Sequence, residues 1–105
     1  MAQFHAYRNQ NPDSKKTTPY LLDVQSNLLN DLATRVVIPL RLARHYRGEP
    51  AKTLMPVFEI EGAPVLALTQ QLAAVPNKAL GESVADLSSQ QHQIVAALDF
   101  LISGV

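Results

Sequence analysis

The chain has no cysteine, only four glycines in 105 residues, and no excess of charge in either direction. Each absence excludes something. Without cysteine there is no disulfide framework, no thiolate nucleophile and no Cys-based zinc or iron–sulfur site. The glycines are scattered, so no Gly-rich loop exists to cradle a phosphate. Nine Lys and Arg balance nine Asp and Glu, which argues against a standalone non-specific nucleic-acid binder. No window approaches the ~18 apolar residues of a membrane span. The opening "MAQFHAYRNQ" lacks the basic start and apolar core of a secretory leader. A cytoplasmic protein without membrane contact is the expectation.

What is present is globular. Apolar residues make up 47% and charged residues 17%, and the length suits one domain over 1–105. "QFHAYR" (3–8) alternates, with Phe4 and Ala6 facing one way and Gln3, His5 and Tyr7 the other, which predicts a strand. A polar connection (9–19) leads to "YLLDVQS" (20–26), which puts Tyr20, Leu22 and Val24 on one face. The two strands are expected to pair as a hairpin. "NLLNDLAT" (27–34) fits a short helical turn, and "RVVIPL" (35–40) is β-branched and predicts a strand. Pro39 cannot donate to a ladder, which assigns it to an edge, an end or a bulge. The basic run 41–50 reads as a loop or a single turn. "EGA" (61–63) between two apolar runs predicts a β-hairpin turning at Gly62. "LAAVP" (72–76) is a candidate further strand, and 77–83 is expected to be connection.

The last segment is helical by period. Ile94, Ala97, Leu98, Leu101 and Val105 recur at helix spacing, with Phe100 off that stripe. Ala97, Leu98 and Leu101 are expected in the core, whereas Phe100 and Ile102 are left over and read as a protein interface. Ser88 with Gln91 makes a capping-box pattern, and Asp86 is a rival N-cap. These elements describe an α+β fold: a small antiparallel sheet or partly open barrel closed by a C-terminal helix.

Catalytic signals are thin. His5, His45 and His92 show no metal-ligand spacing, and no serine or threonine sits in a nucleophile-elbow pattern. No metal and no cofactor is expected. Glu59 and Glu61 alternate beside a turn, as an acid pair or as solvated surface. Arg35, Arg44 and His45 form the one arrangement with enzymatic potential, arginine on phosphate and histidine as acid or base, as in a small ribonuclease. The same residues also read as a solubilising basic segment.

One resemblance covers essentially the whole chain. "DVQS" (23–26), "VIPL" (37–40), "VP" (75–76), "VADLS" (84–88) and a terminal helix ending in Gly plus a β-branched residue occur in order. With Gln3, Phe4, Tyr7, Arg35, Pro56, Gly81, Ile94 and Ala97, this pattern resembles the CcdB toxins of bacterial toxin–antitoxin pairs. The resemblance implies a homodimer with a five-stranded, SH3-like barrel core and a C-terminal helix, a fold shared with MazF-type endoribonucleases. It implies a non-catalytic toxin that binds the A subunit of DNA gyrase and traps the gyrase–DNA cleavage complex. A CcdA-like antitoxin would neutralise it, and operator DNA would be met only through the toxin–antitoxin complex that represses the operon. Carried over residue by residue, the gyrase-contacting positions are Leu28, Leu29, Asp99, Ile102, Ser103, Gly104 and Val105. The best-known plasmid member has tryptophan where this chain has Ser103, so a stacking contact with an arginine is missing here. A MazF-like endoribonuclease toxin and a non-toxic adaptor are the competing readings.

Overall fold

The computed structural model describes Met1–Gly104. Its strands are β1 (His5–Asn9), β2 (Tyr20–Asp23), β3 (Thr34–Leu42), β4 (Val57–Ile60), β5 (Ala63–Ala67), β6 (Ala73–Pro76) and β7 (Leu80–Asp86), followed by helix α1 (Gln91–Ser103). All pairings are antiparallel, in the order β4-β5-β3-β2-β1-β7, with β6 also on β3. The α+β class and the β1–β2 hairpin agree with the sequence reading. The strand count does not: seven strands form one curled sheet, not a five-stranded SH3-like barrel.

Two local causes account for the extra strands. The nine-residue β3 is long enough to serve two partners on one side. Leu40–Leu42 pair with β5 and Thr34–Val37 with β6. A 3-10 turn, Thr69–Gln71, separates those partners. Pro39 sits opposite this break, and its carbonyl accepts from the Leu68 amide at 2.9 Å. N–H and C=O of one strand residue point to the same side, so the donor that proline lacks falls where the neighbouring strand is interrupted. Pro39 is therefore inside a central strand, and the irregularity belongs to its partner. The second cause is β7. Residues 80–83, expected to be connection, form it together with 84–86 and pair with β1 from His5–Asp86 to Asn9–Leu80, through two bulges.

The main core lies between one sheet face and α1. It joins Ala6, Tyr20, Leu22, Ile38, Leu40, Phe58 and Ile60 from the sheet to Leu87 and Ile94. On the opposite face Tyr7, Leu21, Val37 and Leu80 form a smaller cluster. This explains why β2 is buried at every position instead of alternating. A third cluster of Met55, Leu66 and Leu68 underlies the irregular segment between β3 and β4, with Ala43, Tyr46 and Leu54 packed on it.

The β4–β5 turn has positive φ at both Glu61 (53°) and Gly62 (81°), as a two-residue type I′ hairpin requires. A glutamate there is unusual, and its carboxylate is held from two sides. Arg8 donates both terminal nitrogens to it at 3.1 and 2.7 Å, and the Tyr20 hydroxyl donates at 2.5 Å. These bonds hold the Glu61 carboxyl below its usual range. The Tyr20 hydroxyl is pushed up to about 12, by burial first and then by Glu61.

At the start of α1 neither expected cap, Ser88 nor Asp86, caps the helix. Asp86 Oδ1 accepts from the Ser88 amide at 2.9 Å and from the Ser88 hydroxyl. These bonds hold the Asp86 carboxyl below its usual value. Ser88–Gln90 forms a 3-10 turn and α1 begins at Gln91 without a side-chain cap. The hydroxyl of Ser88 is thus a donor to Asp86, which replaces the capping box.

Candidate functional site

Only the first half of α1 belongs to the core. Ile94 and Ala97 are buried and Leu98 is half-buried against the main cluster. From Asp99 to Gly104 every residue is exposed. Leu101, expected in the core, is among them. The sheet ends before the helix does, so the continuing apolar stripe meets solvent. Ile102 is 80% exposed, and Phe100 also stands out of the core.

Gly104 closes the helix in the left-handed conformation (φ 76°), with its amide donating to the Phe100 carbonyl at 3.0 Å. This is an αL C-cap, a conformation that glycine adopts without steric cost. A Cβ at Gly104 would meet nothing within 4 Å, so the surface there is open as well. The Ser103 hydroxyl donates back to the Asp99 carbonyl at 2.7 Å, which commits it to the helix. Asp99 is exposed. Val105 lies outside the described residues.

Leu28 and Leu29 sit on a 3-10 turn, Asn27–Leu29, with Leu28 94% exposed and Leu29 about half so. Core packing for this pair is therefore excluded. A bare leucine on a loop would ordinarily be loosely held, but this turn stands on a buried polar base. Arg35 is 1% exposed. It donates Nε and a terminal nitrogen to Asp23 at 3.0 and 2.5 Å, and its other terminal nitrogen to Asn30 at 2.5 Å. Gln25 donates to the Leu29 carbonyl at 3.0 Å and accepts from the Val36 amide at 3.0 Å. Ser26 caps the turn by accepting from the Leu28 amide at 3.2 Å. Asp23, Gln25 and Ser26 of "DVQS" thus all serve to hold one turn in place. The motif was visible in the sequence, whereas its partner Arg35 read as a surface cation.

The structure brings the six described positions, all but Val105, to two separate elements, the Asn27–Leu29 turn and the end of α1, with no substantial packing between them. It does not assemble the ribonuclease constellation. Arg35 is consumed in its buried ion pair, while Arg44 stands on the far end of β3 in the 3-10 turn Ala43–His45. Glu59 and Glu61 do not form an acid pair either, because Glu61 is bound to Arg8 and Tyr20. His5 contacts Ser83 at 3.1 Å and lies 3.6 Å from Asp86 on the exposed β1–β7 surface. Among the described residues there is no cluster of three or more His, Asp or Glu arranged to hold a metal. No helix among them is long and apolar enough to cross a membrane.

Comparison with known proteins adds two findings. A model of the CcdB protein family matches residues 3–104. Among solved structures, an endoribonuclease in complex with its cognate antitoxin from Mycobacterial species is similar, with a TM-score of 0.69 and 15% sequence identity. That likeness covers 97% of this chain and 94% of the other. At that identity it is a likeness of fold.

Proposed function

The chain belongs to the CcdB family of toxin–antitoxin toxins, and from that premise we propose that it acts by binding, as a poison of DNA gyrase. In this reading Leu28, Leu29, Asp99, Ile102, Ser103, Gly104 and Val105 meet the gyrase A subunit and hold the enzyme on cleaved DNA. The observation that carries it is the emergence of α1 from the core: an ordered helix delivers Ile102 and its neighbours to solvent, where burial against a partner would gain roughly 1.5–3 kcal/mol per large aliphatic side chain. Nothing in the packing of this domain requires those residues to be apolar. As a homodimer the protein would present two such tails, which suits a two-fold symmetric target. A CcdA-like antitoxin would cover the toxin and carry it to operator DNA, and the site of action is the cytoplasm, where gyrase works.

The likeness of fold to an endoribonuclease makes RNA cleavage the reading to test against. Its weakness is the missing acid–base pair. One assay decides. Purified protein is incubated with gyrase and supercoiled DNA, and separately with RNA alone. Accumulation of linear DNA that vanishes on deleting residues 103–105 supports poisoning through the tail. RNA cleavage without gyrase, or undiminished poisoning by the truncated protein, refutes it. Ser103→Trp restores the aromatic found in the plasmid relative, and it should lower the concentration needed for half-maximal cleavage.

A further inference from the structure

The balance of charge over the whole chain conceals a local excess. Residues 41–52 hold Arg41, Arg44, Arg47 and Lys52 against the single Glu49, so the other 93 residues hold five cations and eight carboxylates. The remaining arginines, Arg8 and Arg35, are both in ion pairs. Among the described residues, none of the four cations in 41–52 is. All three arginines without an ion pair are thus on one lobe, with Lys52, while Lys15, Lys16 and Lys78 lie elsewhere.

The lobe is not a loose loop. Ala43, Tyr46 and Leu54 pack on the third hydrophobic cluster, which anchors the segment to β5. Arg41 donates Nε and a terminal nitrogen to the His45 carbonyl at 3.3 and 3.2 Å, leaving its other terminal nitrogen free. Between these residues lies a cleft of about 260 Å³ lined by Arg41, His45, Tyr46, Arg47, Leu68 and Gln71, with no carboxylate in its wall. Arg44 and Arg47 are exposed.

We infer that this lobe binds the phosphodiester backbone of a nucleic acid, with Arg44 and Arg47 on phosphates and the cleft accepting a base or a further phosphate. Two observations support a built binding site, the rigid base and the size of the cleft, and the rings and amide favour a nucleic acid over an acidic peptide. The cations stand on a rigid base, which spares the entropy of ordering them. Two flat rings and an amide accompany them, the set that stacks on and bonds to bases but adds little for a carboxylate. The cleft, about 260 Å³ and open to solvent, has room for one base or phosphate of a strand running across it. The inference goes beyond the gyrase reading, and its test needs neither gyrase nor the tail.

The test is fluorescence anisotropy with labelled duplex DNA, labelled single-stranded RNA and labelled poly-glutamate, between about 50 and 200 mM salt. At least one nucleic acid should bind, and its affinity should fall steeply with salt. Arg44→Gln combined with Arg47→Gln should weaken that binding about tenfold or more at the low-salt end. It should also make the log–log salt slope shallower by roughly 1.4–1.8, at ~0.7–0.9 per phosphate contact. Arg44→Lys with Arg47→Lys should retain most of both. The DNA and RNA arms tell which nucleic acid it is. No binding of either, a slope unchanged in the glutamine variant, or tighter arginine-dependent binding of poly-glutamate would overturn the inference.

Discussion

The two halves of α1 are built from the same kinds of residue and end in opposite surroundings. Ile94 and Ala97 are buried against the sheet, while Phe100, Leu101 and Ile102, one to two turns later, are exposed. The Asn27–Leu29 turn repeats the contrast in a smaller space. Leu28 faces water directly above a network in which Asp23 is fully buried and Arg35 almost so. In both places one group of residues builds a rigid support and the next stands out from it. Apolar side chains on rigid supports lose little freedom on meeting a partner, which favours association.

Several substitutions would break or sharpen that contrast. The largest effect is expected at the support. Asp23→Ala leaves the Arg35 guanidinium buried without its counter-charge and should cost about 3–5 kcal/mol in urea unfolding. It should also release the turn carrying Leu28, read as faster proteolysis between residues 23 and 35. Ile94→Ala removes the buried anchor of α1 and should cost about 2–5 kcal/mol by the same measurement. Ile102→Ser should do the reverse. Its unfolding free energy should stay within about 0.5 kcal/mol of the parent, while gyrase-dependent DNA cleavage should need roughly tenfold to a hundredfold more protein, the worth of ~1.5–3 kcal/mol of burial. If Ile102→Ser unfolds as easily as Ile94→Ala, the two halves are not different in kind.

The smallest effect concerns acid. Glu61 has a folded pKa below its ordinary value of 4.5. Its contribution to stability is therefore full above that ordinary value and is lost as pH falls through the lowered one. The melting temperature of the parent should fall more steeply than that of Glu61→Gln as pH drops below about 5. The tail should not respond, because it contains no partner of Glu61.

Much of this was legible in the residues, and the exceptions share a cause. Alternation located β1, β2 and the β4–β5 hairpin, because each is decided by its own few side chains. Periodicity found α1 but placed Leu101 in the core, since period says which face is apolar and not where the opposing sheet stops. Residues 77–83 looked like connection because β7, which takes up 80–83 of them, is half exposed and pairs through bulges with a strand far away in the chain. Arg35 looked like a surface cation because nothing local reveals that Asp23 and Asn30 converge on it. The seven candidate positions came from resemblance. Leu28 and Ile102 are exposed, and Ser103 is bonded to its own helix.

The pairing of β1 with β7 has a consequence for how the molecule comes into being. β1 is synthesised well before β7, yet its outer edge is covered only by Leu80–Asp86. A nascent chain that has not yet released those residues carries an open strand edge, the feature through which partly made sheets join one another. The pairing also spans nearly the whole chain, and contacts so distant form slowly. Completion of the sheet and display of the tail therefore belong to the same late moment, since α1 follows β7 directly. A chain that has not reached β7 has neither its closing strand nor the exposed half of α1, so both arrive together with the finished fold.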